Sequence, residues 1–256
     1  MGRSDRNEET ITAALVVIGE EILSGRTQDA NIAYIATHLG KIGIALREVR
    51  IVPDLEQEIV AAVNTLRPVY TYVFTTGGIG PTHDDITADS VAKAFGVPID
   101  YEPEVVEMLR ARFAERGADM NEARMRMARI PKGAALVKNK ISAAPGFWLG
   151  NVIVMAGVPA IMQAMLDEVA PKLKTGVKML SETVCADARE GDIGTELGEI
   201  AKTIPEVTIG SYPYFDEKFG PNTNVVIRAR DPARLAEAKA AVEAMLIQVK
   251  AKGIRR

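Results

Sequence analysis

Thr75-Thr76-Gly77-Gly78-Ile79-Gly80-Pro81-Thr82-His83-Asp84-Asp85-Ile86-Thr87 follows an apolar, β-prone run, Val69 to Phe74, and precedes a segment that reads as a helix, Ala88 to Phe95. A strand that ends in glycines and gives way to a helix gathers free backbone N–H groups at one spot. Such a spot binds anions, because the N–H groups converge and the helix dipole adds partial positive charge. Two adjacent carboxylates, Asp84 and Asp85, lie on the same loop. A phosphate cradle beside paired carboxylates points to chemistry on a phosphate or diphosphate, with a hard cation such as Mg²⁺ bridging the two.

The alternation continues outward from this loop. Thr12 to Ile18 reads as a buried strand, and Gly19 to Gly25 as the loop after it. From Asn31, apolar residues recur at Ile32, Ile35, Ala36, Leu39 and Ile42, which is helical spacing, with Asp29 or Asn31 as the cap. Ala45 to Val52 is a second strand ending at Pro53-Asp54; Leu55 to Leu66 is a helix; Val69 to Thr75 is the third strand. Strands alternating with helices imply a parallel sheet covered on both faces. Ligands of such sheets bind beyond the carboxyl ends of the strands. The glycine loop, the Gly19–Gly25 loop and Pro53-Asp54 are therefore expected on one rim.

Downstream, Pro103 to Ile130 is charged and helical with a break near Gly117. Asn151 to Ala156 is another core strand, running into Gly157-Val158-Pro159 and a helix from Ala160 to about Ala170. Pro171 to Lys178 reads as a linker. Beyond it come a strand (Met179 to Ala186), a helix (Ile193 to Ile204), two strands (Val207 to Tyr214, Asn224 to Arg230) and a long amphipathic helix (Pro232 to Lys252), which make a small α/β domain.

The 256 residues are 47% hydrophobic and 25% charged, ordinary for a soluble globular protein. A net charge of -3 gives no global basic field of the kind that marks nucleic-acid binders. One cysteine, Cys185, excludes an internal disulfide framework. With two histidines, His38 and His83, a zinc site is not expected. No apolar run is long enough to cross a bilayer, and residues 1–11 read as a disordered leader without a secretory h-region. A cytoplasmic location is expected.

TTGGIGPTHDDIT resembles the signature of the molybdenum-cofactor-biosynthesis (MoCF) domain. GEEILSG (Gly19–Gly25), Asp29 with Asn31, VPD (Val52–Asp54) and AGVP (Ala156–Pro159) fit that domain in order and spacing. GEEILSG, PGF (Pro145–Phe147) and GSYPYF (Gly210–Phe215) look more like one branch, the CinA (competence/damage-inducible) proteins and the relatives fused to eukaryotic FAD synthases. The resemblance implies an α/β fold: a three-layer MoCF-type domain with a mostly parallel sheet over residues 12–174, then a small KH-like α/β domain over 179–256. Full-length CinA proteins carry a further amidohydrolase domain that deamidates nicotinamide mononucleotide; this chain ends before it, so that activity is expected to be absent. Ala156 stands where the branch usually has proline, which removes rigidity but no ligand group.

The resemblance implies two chemistries. CinA-type domains are linked to hydrolysis of ADP-ribose and related diphosphates, with a divalent metal (Mg²⁺ or Co²⁺) and an activating monovalent cation, K⁺. Other MoCF domains bind molybdopterin and adenylylate it or insert molybdate. Both place a nucleotide or pterin phosphate on the glycine loop. Thr76, Gly77, Gly78, Gly80 and Thr82 would cradle that phosphate, with Asn31 and Gly157 beside them. Asp85 and Asp54 would carry catalysis; Asp85, Asp84 and Glu20 would hold the metal. Each carboxylate has a structural alternative: Asp84, Asp85 and Asp54 can cap helices, and Glu20 and Glu21 can be solvated loop residues. Arg124, Arg126 and Arg129 are candidates to cover the phosphates, Phe147 and Trp148 to stack on a base, and Tyr212 and Tyr214 to touch a nucleotide.

Three functions follow. The first is a metal-dependent pyrophosphatase cleaving ADP-ribose or a similar diphosphate to AMP and a sugar phosphate. The second is a molybdopterin-binding or adenylyl-transfer protein. The third is a non-catalytic regulatory nucleotide-binding module. KH domains clamp nucleic acid with a GxxG loop; GDIG (Gly191–Gly194) has that spacing, but Asp192 and its acidic neighbours oppose phosphate, so no nucleic-acid partner is expected. A homodimer is expected on family grounds. The apolar face of the last helix (Leu235, Ala238, Val242, Met245, Val249) is free at this level to pack in its own domain or across a dimer.

Overall fold

The computed structural model describes residues 10–217 and 220–251. The chain divides into two compact units, residues 1–176 and 177–256. Most of the expected leader falls outside the described residues, but Ile11 is fully buried, so the core begins before Thr12.

The first unit is built on β1 (Thr12–Ile18), β2 (Ala45–Val52), β3 (Tyr72–Thr76), β6 (Ala135–Val137), β7 (Gly146–Leu149) and β8 (Val152–Met155). They form one sheet in the order β2-β1-β3-β8-β7-β6. β2, β1, β3 and β8 run parallel, while β7 is antiparallel to both its neighbours. The apolar run of β1 is continuous because both sheet faces are covered. Ala14, Val16 and Ile18 enter one core with α3 (Glu56–Leu66), α4 (Thr87–Phe95) and α5 (Pro103–Glu115). Ala13, Leu15 and Val17 enter the other with α2 (Asn31–Lys41) and α7 (Pro159–Val169). This is the three-layer arrangement, and each fully buried Leu, Ile or Phe in it is worth about 1.5–3 kcal/mol.

Three local readings change. Part of the Gly19–Gly25 loop is a short helix, α1 (Glu20–Leu23). β3 starts at Tyr72, because the N–H groups of Val69 and Tyr70 both return to the Leu66 carbonyl and hold the preceding residues in a turn. The charged segment 103–130 is not helical to its end. After α5 and α6 (Glu122–Met125) comes a 3-10 turn and then β5 (Arg129–Pro131), which pairs with β4 (Ile99–Tyr101).

The second unit runs β9 (Leu180–Cys185), α8 (Glu190–Thr203), β10 (Thr208–Asp216), β11 (Gly220–Ala229), α9 (Pro232–Ala251). Its sheet has β11 in the centre, antiparallel to β10 and β9. Leu235, Ala238, Val242, Met245 and Val249 of α9 are buried inside this unit, against Ile193, Leu197, Val225 and Ile227. That face is spent within its own domain and is no dimer seam. Gly191–Gly194 lies in the first turns of α8, so GDIG is helix and not a nucleic-acid-clamping loop.

Candidate functional site

Because β1, β2, β3 and β8 are parallel, the segments after them meet at one rim. The glycine loop is fastened there at both ends. Gly77 has φ +101, and a Cβ on it would lie 2.1 Å from the Ile18 carbonyl oxygen. Gly78 has φ +67, and its Cβ would lie 2.1 Å from Thr87 Oγ1. Only glycine fits either position. The Gly77 N–H donates to Met155 O at 3.1 Å; the Thr87 hydroxyl donates to Gly77 O and its N–H to Gly78 O, both at 3.0 Å. Among the described residues, no loop or turn hydrogen bond uses the N–H groups of Gly78, Ile79 or Gly80.

Neither aspartate caps α4, whose first turn receives no side-chain hydrogen bond. The Asp85 carboxylate turns back on its own loop, where Oδ2 accepts from the Thr82 N–H at 2.8 Å and from the Thr82 hydroxyl. The Asp85 carbonyl accepts from Arg126 Nη2 at 3.2 Å, tying the loop to the 3-10 turn. Asp84 is exposed, and its carboxyl lies below the ordinary carboxylate range through the nearby Thr82 hydroxyl and its own backbone N–H. That hydroxyl has one proton, and the hydrogen-bond geometry gives it to Asp85.

Asp54 does not cap α3, which also lacks a side-chain cap. Its Oδ2 accepts the Glu20 N–H at 2.9 Å, joining two rim segments. Burial pushes its carboxyl above the ordinary value, the Glu20 N–H opposes this, and the charges of Glu21, Asp84 and Asp85 add to the rise. The three aspartates and Glu21 therefore share one field.

A cavity of about 550 Å³ opens at this rim. Gly77, Gly78, Gly80, Thr82 and Gly157 line it, with Asp54, Asp84, Asp85 and Glu21. Glu20 does not; the carboxylate facing the cavity is its neighbour Glu21. α1 is what decides between them, since consecutive helical residues point in different directions. The expected trio of Asp85, Asp84 and Glu20 does not converge: among the described residues, no three Asp, Glu, His or Cys side chains cluster closely enough to hold a metal by themselves. No Lys, Arg or His lines the cavity among the described residues. An anion bound in this cavity would face four carboxylates, which repel it unless a cation stands between them; Arg126 and Arg129 line a smaller recess against the same loop, with Gly78, Ile79, Gly80 and Asp85. Mg²⁺ suits such a site, since it is commonly held by one or two carboxylates together with substrate phosphates and water.

Asn31 is 4% exposed and is no helix cap; the Asp29 carboxylate accepts the Ile32 N–H in that role, at 2.7 Å. Asn31 Nδ2 donates to the Gly157 carbonyl at 2.8 Å. One of its two amide protons is thereby used, and its Oδ1 has no hydrogen-bond partner. Thr76 is 1% exposed, and with Asn31 it lines a side pocket rather than the main cavity. Gly157 lies against the glycine loop, where a Cβ would sit 3.3 Å from Gly77 Cα.

The three arginines separate. Arg124 stacks on Phe113 at 4.4 Å from the ring centroid, and Arg129 pairs with Asp89 at 2.7 Å. Arg126 is the one of the three that hydrogen-bonds the glycine loop, and its Nε is buried without a partner. Sequence spacing does not distinguish it from its neighbours. Phe147 is core, and Trp148 packs edge-on against Tyr72 while donating to Gly150 O. Among the described residues no helix is long and apolar enough to cross a membrane.

Residues 14–175 match a family model described as a probable molybdopterin binding domain, and residues 178–252 match the middle domain of FAD synthase. A protein from Pyrobaculum calidifontis is 34% identical over 244 residues, covering 92% of this chain and 93% of its own. A probable FAD synthase from Caenorhabditis briggsae is 29% identical over 260 residues; the match covers 92% of this chain and 50% of that protein, so the chain spans half of its length. The crystal structure of CinA, a protein of unknown function from Thermoplasma acidophilum, aligns with a TM-score of 0.58 and 32% identity over 63% of this chain and 96% of its own.

Proposed function

We propose a function from one premise, that the chain belongs to the family of probable molybdopterin binding domains: its rim binds a nucleotide diphosphate and hydrolyses it with a divalent cation. One observation carries this reading. In a cavity of about 550 Å³, the unused N–H groups of Gly78, Ile79 and Gly80 meet Asp54, Asp84, Asp85 and Glu21 without a cationic side chain. Backbone donors there bind phosphate oxygens. The carboxylates repel the same oxygens unless a cation stands between them. Asp85 and Asp84 are the residues to hold Mg²⁺ or Co²⁺, which when bound neutralises phosphoryl charge and lowers the pKa of a water ligand. Asp54, its carboxyl raised by burial, is suited to take a proton from the attacking water. K⁺ as activator belongs to the same reading. The likeness to a probable FAD synthase supports an adenine dinucleotide or its fragments, such as ADP-ribose, as substrate.

The family description itself favours a second reading, in which a pterin phosphate occupies the same loop and is bound or adenylylated. The test is AMP release from ADP-ribose, FAD, NADH and diadenosine phosphates with Mg²⁺ or Co²⁺, with and without K⁺, beside Asp85→Asn. Metal-dependent release lost in the variant supports hydrolysis. No release from any substrate by folded protein rejects it, and pterin fluorescence that co-purifies then favours the second reading.

A further inference from the structure

A side pocket of about 80 Å³ opens next to the main cavity and shares Ile18, Glu21 and Gly157 with it. Two side chains in its wall, both more than nine-tenths buried, carry oxygens that make no hydrogen bond: Asn31 Oδ1 and Thr76 Oγ1. Buried polar atoms without partners are rare enough in folded proteins to need a cause. The orientation of Asn31 is fixed, since Nδ2 must be the atom facing the Gly157 carbonyl. Its Oδ1 therefore only accepts. Asp29 and Glu21 add carboxylates to the wall, Thr27 and Gln28 add neutral polar groups, and among the described residues no Lys, Arg or His lines it. Negative charge disfavours phosphate here, and a neutral N–H donor is what Asn31 Oδ1 calls for. Thr76 directly precedes Gly77, so the pocket lies beside the glycine loop as well as beside the main cavity.

We propose that the pocket reads an exocyclic amino group on the heterocycle of the bound nucleotide, with Asn31 Oδ1 and Thr76 Oγ1 accepting its two protons. The assignment rests on the nucleotide-binding reading above and names the feature of the base that it selects. A water satisfying the two oxygens in the free protein would be displaced by an amino group making the same two bonds, which leaves no lost hydrogen bond to oppose binding. A carbonyl in that place could take the Thr76 hydroxyl proton but would set its oxygen against Asn31 Oδ1, which can only accept.

Calorimetric titration with AMP and IMP tests this, because the two differ in an amino group against a carbonyl on the same ring. In the presence of Mg²⁺ the wild-type protein is expected to bind AMP roughly tenfold or more tightly than IMP. Thr76→Val keeps the side-chain volume and removes the hydroxyl, so AMP affinity is expected to fall by roughly threefold to tenfold while the preference over IMP, set by Asn31 Oδ1, persists. Thr76→Ser restores the hydroxyl and should restore AMP affinity. Equal wild-type affinity for AMP and IMP, or unchanged AMP affinity in Thr76→Val, overturns the proposal. So does failure of AMP, GMP and a pterin monophosphate alike to bind. An intact AMP preference in a protein that releases no AMP from any diphosphate would reject the hydrolase reading and support this pocket.

Discussion

Replacing Gly77 with alanine combines two costs, and Gly25→Ala separates them. Gly77 has φ +101 and Gly25 φ +72, so a side chain at either is forced into a left-handed backbone. That alone costs about 1–2 kcal/mol. At Gly25 a Cβ would meet nothing within 4 Å, whereas at Gly77 it would lie 2.1 Å from the carbonyl oxygen of Ile18. Relaxed C···O contacts are about 3.3 Å or longer, so roughly 1 Å of movement is required. The neighbour that must move is the last residue of β1, paired with Val52 of β2. Overpacking of this kind adds about 1–3 kcal/mol. The expected losses are about 1–2 kcal/mol for Gly25→Ala and about 2–5 kcal/mol for Gly77→Ala. For a unit of this size each kcal/mol lowers the unfolding midpoint by roughly 2–4 °C. Trp148 is the sole tryptophan and sits on β7 of the same sheet, so its fluorescence follows unfolding of the first unit alone. Equal destabilisation by the two substitutions, or a loss under about 1 kcal/mol at Gly77, would refute the close-packed origin of this glycine.

Three further outcomes are expected. Asp85→Asn keeps an acceptor for the Thr82 N–H and removes the charge, so AMP release should drop by roughly 10²-fold or more while the melting temperature stays nearly constant; undiminished turnover would remove Asp85 from the chemistry. Asp54 has a raised carboxyl in the fold, so its ionisation works against folding: its stabilising contribution is complete below the unfolded value and is lost as pH rises through the raised folded value. Asp54→Asn should therefore melt higher than wild type at neutral pH and converge with it in acid; a gap that does not close in acid would contradict the assigned cause. Arg126→Met removes the side-chain tie to the Asp85 carbonyl, a charge-assisted hydrogen bond worth about 1.5–3 kcal/mol. Amide hydrogen exchange over residues 80–86 should accelerate in that variant with little change elsewhere, and an unchanged exchange pattern would show that the loop holds itself.

The strand–glycine–helix stretch from β3 to α4 and the continuous apolar run of β1 were legible because each follows from local chemistry. Apolar periodicity fixes which residues must be buried, and consecutive glycines mark where backbones pass closely. The shared rim was legible for the same reason, since alternating strands and helices leave a parallel sheet little choice of topology. Sequence could not decide which way individual polar side chains turn. Glu21 rather than Glu20 faces the cavity, Asn31 is buried and tied to Gly157 rather than capping its helix, and Arg126 hydrogen-bonds the loop while Arg124 stacks on Phe113 and Arg129 pairs with Asp89. The last helix likewise has an apolar face whose destination depends on whether α8 and the second sheet cover it, and they do. Sequence by itself determined the layered α/β architecture of the first unit and the place of its glycine loop, because burial and backbone conformation are properties of short segments. Tertiary structure alone decided which polar side chains meet at the rim, because a side chain's hydrogen-bond partner is supplied by residues distant in the chain, as Gly157 is for Asn31 and Arg126 for Asp85.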